Sequence, residues 1–251
     1  MLEVQNVSVR FGGLEVLTDV SVTLVSGRLT GLIGPNGAGK TTLFDCVTGF
    51  VRCDRGAVRV DGRSVPRLSP HRVAAAGVAR TFQTPRVFSG LTTLENLVVA
   101  GSQPAPVRSL LTAFRPRAHA AESRALLDLA SETAEFVGLT PVLDNLADAL
   151  SGGQRKLLEI GRALMRAPTV LLLDEPVAGV HPALARTIAT TLRAIADRGV
   201  AVGVIEHNME FVMNHCDHVH VLAQGRELMH GSPDVVQRDP RVLAAYLGGT
   251  P

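Results

Sequence analysis

The chain has 251 residues, 46% of them hydrophobic, which is enough for one large or two small domains around a sizeable core. Its 25 Lys and Arg against 23 Asp and Glu leave a net charge of +2, which argues against a protein living on nucleic-acid phosphates. No apolar run reaches the roughly 18 residues of a membrane helix and the opening MLEVQNVSVRF lacks the layout of a signal peptide, so a soluble chain is expected, with any membrane role exerted through a partner.

Leu2 to Val9 alternates (Leu2, Val4, Val7, Val9), as does Val20 to Leu24, and both are predicted strands. Thr30–Ile33 is a nearly continuous apolar run, as expected of a parallel strand buried on both faces. It leads into GPNGAGKTT at residues 34–42 and a helix-like segment ending at Gly49. Ala57–Val60 is a short strand closed by the turn Asp61-Gly62, so the beginning reads as an antiparallel layer. Ser69 and Pro70 cap and open a short helix that Gly77 closes. From about residue 84 to 166 the texture changes to alanine and leucine without a strand signal. Leu126, Leu129, Ala130, Thr133 and Val137 fall at helical spacing until Gly138 and Pro141, and Gln103-Pro104-Ala105-Pro106 and Arg115-Pro116-Arg117 read as loops. Gln154–Arg166 carries Leu157, Ile160 and Leu164 on one helical face. Val170–Leu173 and Val200–Ile205 are two more buried strands, with a helix over His181–Arg198 between them (Leu184, Ile188, Leu192 and Ile195 on one face). Asp239-Pro240 opens a last helix that stops at Gly248. Alternating strands and helices predict a wound α/β core, residues 1–83 and 167–251, with a helical subdomain over 84–166 inserted into it.

Gly34-Pro35-Asn36-Gly37-Ala38-Gly39-Lys40-Thr41, followed by Thr42, fits GxxxxGK[ST] in the right context, after a strand and before a helix. The glycines let backbone N–H groups ring phosphates, and the helix adds its positive end. Lys40 can reach the β- and γ-phosphates of ATP, and the Thr41 hydroxyl can ligate Mg²⁺. Asp174 and Glu175 follow an apolar strand, and the carboxyl end of such a strand is where ligands bind in open α/β sheets. Asp174 suits a Mg²⁺-organising role and Glu175 that of a general base on water. Ser151-Gly152-Gly153-Gln154 is a capped helix start with bare N–H groups, a second anion site suited to the γ-phosphate held by a partner chain.

Together these residues resemble the ATP-binding cassette (ABC) family over essentially the whole chain, which implies a RecA-like P-loop NTPase core, an antiparallel β layer and an inserted α-helical subdomain. The resemblance places Phe11 at the adenine-stacking aromatic. It places Gln83, in RTFQ, at the loop that senses the γ-phosphate and the metal, and His207, in IEHNM, at the switch histidine. Leu32–Phe50, Gly77–Ala100 and the stretch from Cys216 onward, ending RVLAAYLGG, look like the ATPase subunits of branched-chain amino-acid importers; urea and amide importers share much of this pattern. This implies a second cassette, identical or paralogous, transmembrane permease subunits, a periplasmic solute-binding protein and a peripheral position on the cytoplasmic face of a bacterial inner membrane. Val87, Phe88 and Leu91 are the candidate apolar groove toward the permease. A chromosome-maintenance ATPase combines the same motifs, but the segment between Gln83 and Ser151 is too short for a long coiled coil and shows no sustained heptads, so no nucleic-acid partner is expected. One departure stands out: after Glu175-Pro176 the chain reads VAGVHP, with His181 near the position where many cassettes carry an aspartate.

Two features lie outside this pattern. Cys46, Cys53 and Cys216 form no CxxC pair and read as reduced thiols. His218 and His220, two apart on a strand, share a face, but the run leads into a hairpin at Gln224-Gly225 where exposed histidines are ordinary, and no metal is expected there.

Overall fold

The computed structural model describes residues 1–65, 69–84, 86–102 and 116–247. The chain divides into two compact units, one of Met1–Gln83 with Pro168–Pro251 and one of Thr84–Ala167.

The first unit opens with β1 (Leu2–Phe11) paired antiparallel to β2 (Leu14–Leu24). Leu2, Val4, Val7 and Val9 are all buried although Val4 and Val7 are three apart. Strict alternation would send Val7 to the opposite face from Val4. A bulge absorbs the extra residue: Asn6 takes a left-handed φ of 50°, its backbone N–H donates to Ser21 and its side-chain amide to Asp19. β3 (Leu29–Ile33), buried at every position, runs into α1 (Lys40–Val47). β4 (Arg55–Val60) and the two-residue β5 (Arg63–Ser64) complete an antiparallel sheet of order β2-β1-β4-β5. α2 (Pro70–Ala75) follows. Its expected cap, Ser69, makes no side-chain capping bond and turns its hydroxyl toward His71 instead. β6 (Val78–Arg80) is too short for any periodicity to announce.

The second unit holds α3 (Thr93–Gly101), α4 (Pro116–Phe136) and α5 (Gly152–Leu164). Thr92 and Glu95 form a reciprocal capping box at the start of α3. Pro116 and Arg117, expected in a loop, instead open α4, with Pro116 at the first helical position where proline's missing N–H costs nothing, and Arg115 lies outside the described residues. The inward face of α4 is Ala130, Thr133 and Ala134, all buried, with Val137 buried just past its end, while Leu129 is 43% exposed and leaves the predicted face. The expected loop at 103–106 and the stop at Gly248 lie outside the described residues.

Back in the first unit, β7 (Val170–Asp174) and β8 (Ala201–Ile205) flank α6 (Pro182–Asp197) and are buried at every position. α7 (Met209–His215), the hairpin β9 (His218–Ala223) and β10 (Arg226–Gly231), then α8 (Pro233–Arg238) and α9 (Pro240–Leu247) end the described chain. The second sheet has the order β10-β9-β3-β8-β7-β6, parallel throughout except for β10. Leu2 and Val20 from one sheet, Leu32, Leu172 and Leu222 from the other, and Leu43 and Phe44 from α1 share one core. This core fixes the loop between β3 and α1 at the carboxyl ends of the parallel strands. All three cysteines are free, and burial pushes the Cys216 thiol up to about 12, so it stays protonated. No helix of the described residues is long and apolar enough to cross a membrane.

Candidate active site

Between Ile33 and Lys40 the chain loops over and enters α1 through Gly39, whose φ of 96° is the left-handed conformation glycine adopts without strain. Asn36 through Thr42 line a cavity of about 310 Å³ together with Val16, Glu175, Ile205 and His207. Lys40 is buried, and its Nζ donates to the carbonyls of Gly34 (2.7 Å) and Pro35 (3.0 Å). Burial lowers the pKa of this ammonium, and the carboxylates of Glu175 and Asp174 partly oppose that.

Glu175 follows the end of β7 in a left-handed conformation, φ 50°, held by its N–H bond to Ile205 O on β8 (2.9 Å). Such a backbone is costly for a residue with a side chain, and it turns the carboxylate into the cavity at the sheet edge. One carboxylate oxygen accepts from Gln83 Nε2 at 3.0 Å, and the other lies 3.1 Å from His207 Nε2. Three residues far apart in sequence thus meet at one carboxylate.

Two groups that sequence reasoning passed over organise this edge. Arg80, at the end of β6, has a side chain only 5% exposed, with its guanidinium against Asp45 (2.6 Å), Thr48 (3.2 Å) and Asp174 (3.5 Å) and over the rings of Phe44 and Phe82. Burial raises the pKa of Asp174, and Arg80 pulls it back part of the way. Glu206, 2% exposed, accepts at one oxygen from Val177 N (2.9 Å) and at the other from His207 N (3.2 Å) and Asn208 N (3.3 Å). It ties the segment after Glu175 to the segment bearing His207. The available signal was the same in both cases: a charged residue closing a short apolar run.

Arg80→Met is expected to destabilise the fold by about 3–5 kcal/mol at neutral pH, because it strands the buried Asp174 carboxylate. The sign with pH follows from the raised pKa. A carboxyl raised in the folded state disfavours folding above its ordinary range, so the deficit should shrink as pH falls and the group protonates in both states. Urea denaturation across pH checks this; a deficit independent of pH refutes it.

Other predicted site residues stand elsewhere. Phe11 ends β1 at the hairpin tip, opposite Leu14, 51% exposed and not among the residues lining the cavity, where Val16 of the next strand appears instead. Asp174 is buried beside Arg80 and is not among the residues lining the cavity. Ser151 and Gln154 form a capping box: Ser151 Oγ accepts from Gln154 N (3.2 Å), and Gln154 Oε1 from Ser151 N (2.9 Å). Gly152 and Gly153 form the first turn of α5. His181 caps α6, its Nδ1 accepting from Ala183 N at 3.3 Å. Phe88 is 48% exposed under the Arg162 guanidinium at 4.9 Å, with Val87 and Leu91 half-buried, so these three form neither a fully packed nor a fully open surface.

Residues 17–178, most of the chain, match the family model described as ABC transporter. The chain belongs to the ABC transporter family. Residues 226–250 of this cassette also match the model described as branched-chain amino acid ATP-binding cassette transporter. The cassette is 38% identical to the high-affinity branched-chain amino acid transport ATP-binding protein BraF of Pseudomonas aeruginosa, over 99% of this chain and 98% of that one. It is 35% identical to the high-affinity branched-chain amino acid transport ATP-binding protein LivG of Escherichia coli, over 99% and 98% of the two chains. Its fold superposes with a TM-score of 0.86 on the ADP conformation of MJ1267, an ATP-binding cassette of an ABC transporter, at 35% identity and over 99% and 98% of the two chains. By its family this cassette is an ATPase.

Proposed function

We propose that the chain is the ATP-hydrolysing subunit of an importer for branched-chain amino acids, acting through membrane-spanning partner subunits at the cytoplasmic face of a bacterial inner membrane. The observation that carries the hydrolytic reading is the Glu175 carboxylate beside the Lys40 cavity, engaged by both Gln83 and His207. The backbone of Gly34–Thr42 cradles the ATP phosphates, Lys40 turns from its two carbonyls to a phosphate, and Phe11 stacks on adenine. Thr41 and Asp174, with Gln83, would hold Mg²⁺, which supplies neutralisation of phosphate charge when bound. The donor set fits, being a hydroxyl, an amide and a carboxylate, all hard oxygen ligands. Glu175 polarises the attacking water, positioned by Gln83 and His207. Ser151, Gly152, Gly153 and Gln154 of a second cassette close over the γ-phosphate. Within the capping box the Ser151 oxygen accepts from Gln154, so its own hydrogen stays free to donate to that phosphate.

Support for the solute comes from the relatives, which are branched-chain amino acid transport ATP-binding proteins, and from the C-terminal family match. Deleting the gene in its own cell should abolish uptake of radiolabelled leucine, isoleucine and valine. Wild type should restore uptake, and Glu175→Gln should not. Intact branched-chain uptake with loss of urea or a short amide would replace this substrate class by the related one, and no transport defect at all would point to a non-transport ATPase.

A further inference from the structure

We propose that His220, Glu227 and His230 form a binding site for a divalent transition-metal ion, with Zn²⁺ the best match, on the β9–β10 hairpin outside the nucleotide cavity. His220 and His230 sit directly opposite each other in the antiparallel register. Glu227 is three residues before His230 and in a regular strand would face the other way. The bulge between Glu227 and Met229 reverses that and brings its carboxylate round to the histidines. As a result Glu227 Oε1 lies 2.6 Å from His220 Nδ1 and 3.0 Å from His230 Nδ1, and the three donor atoms fall within 4.8 Å of one another. The His218 ring flanks the group, its centroid 5.0 Å from His220 and 5.5 Å from His230.

The expectation of ordinary exposed histidines fails here, because burial is graded across the cluster. The His220 side chain is 5% exposed, Glu227 19% and His230 58%. The inner ligand is held rigidly, and the outer one leaves a path from solvent. His220 Nε2 faces the backbone carbonyl of Thr23 at 3.4 Å, the kind of outer contact that orients a metal-binding imidazole; with a metal on Nδ1, Nε2 would carry its proton toward that carbonyl. Two imidazoles and one carboxylate suit Zn²⁺ and its neighbours over Mg²⁺ or Ca²⁺. With bonds of about 2.0–2.2 Å, tetrahedral donors stand about 3.3 Å apart, so the two carboxylate contacts would open by less than about 1 Å and the widest donor pair would close by at most about 1.5 Å. Water from the His230 side takes the fourth position. The ion would fasten the edge strand β10 to β9.

Titration of the purified full chain with Co²⁺ and Zn²⁺ in excess Mg²⁺ tests this. One ion per chain is expected, with tetrahedral ligand-field absorption for Co²⁺ that Zn²⁺ displaces. His230→Ala and Glu227→Gln should each weaken binding by about 10-fold or more, and Asp174→Asn should leave it intact. His230 is exposed, so its loss should spare the fold, as circular dichroism will show. No stoichiometric ion, binding unchanged in both hairpin variants, or binding lost only in Asp174→Asn would each overturn the site.

Discussion

Glu175→Gln is expected to bind ATP about as tightly as the parent chain while hydrolysing it about 10²- to 10⁴-fold more slowly, the range of a lost general base. The substitution keeps the size of the side chain and one carbonyl oxygen, so the Gln83 contact at 3.0 Å can persist. It turns an NH₂ group toward His207 and removes the negative charge that would draw a proton from water. The left-handed backbone and the Ile205 contact do not depend on the carboxylate, so the site should stay assembled and fail only in the chemical step. A slow step on a bound triphosphate should also accumulate a closed pair of cassettes, visible by size-exclusion chromatography with ATP and Mg²⁺. Single-turnover hydrolysis at the parent rate would remove Glu175 from the role of base.

Gly34→Ala should cost about 4 kcal/mol of stability and at least about 10-fold in ATP affinity, well beyond backbone strain alone. Gly34 has φ 149°, and an added Cβ would fall 2.0 Å from the carbonyl oxygen of Leu222 on β9. That oxygen belongs to backbone and cannot swing aside. β9 is locked beside β3 by pairs such as Ile33 with Val221, so relief requires parting two core strands at the root of the phosphate loop. Gly37→Ala is the control. Gly37 also has positive φ, 78°, but nothing lies within 4 Å of its added Cβ, so only conformational strain of about 1–2 kcal/mol is expected. Chemical denaturation and nucleotide binding of the two variants decide the matter. Equal losses would show that the Leu222 carbonyl imposes nothing special at residue 34.

What was legible in the linear chain was local. A phosphate loop is one turn of backbone, so nine consecutive residues, 34–42, carry it whole. Fully apolar runs announce β3, β7 and β8 because both faces of those strands are buried, and Ser151 announces the start of α5 because a cap acts within three residues. The same local reading erred where one residue changes a phase or where burial is set from outside. It puts Leu129 on the buried face of α4 and His220 on an exposed one, whereas burial has the opposite sense at both.

The meeting of Gln83, His207 and Glu175, the buried Arg80 beside Asp174, and the Glu206 bridge required the tertiary structure. So did the bulge that turns Glu227 toward two histidines. Side-chain periodicity reports which face a residue takes along its own strand. It cannot report which strand comes alongside, at what register, or with one residue too many, and those choices put charges far apart in the chain within hydrogen-bonding distance.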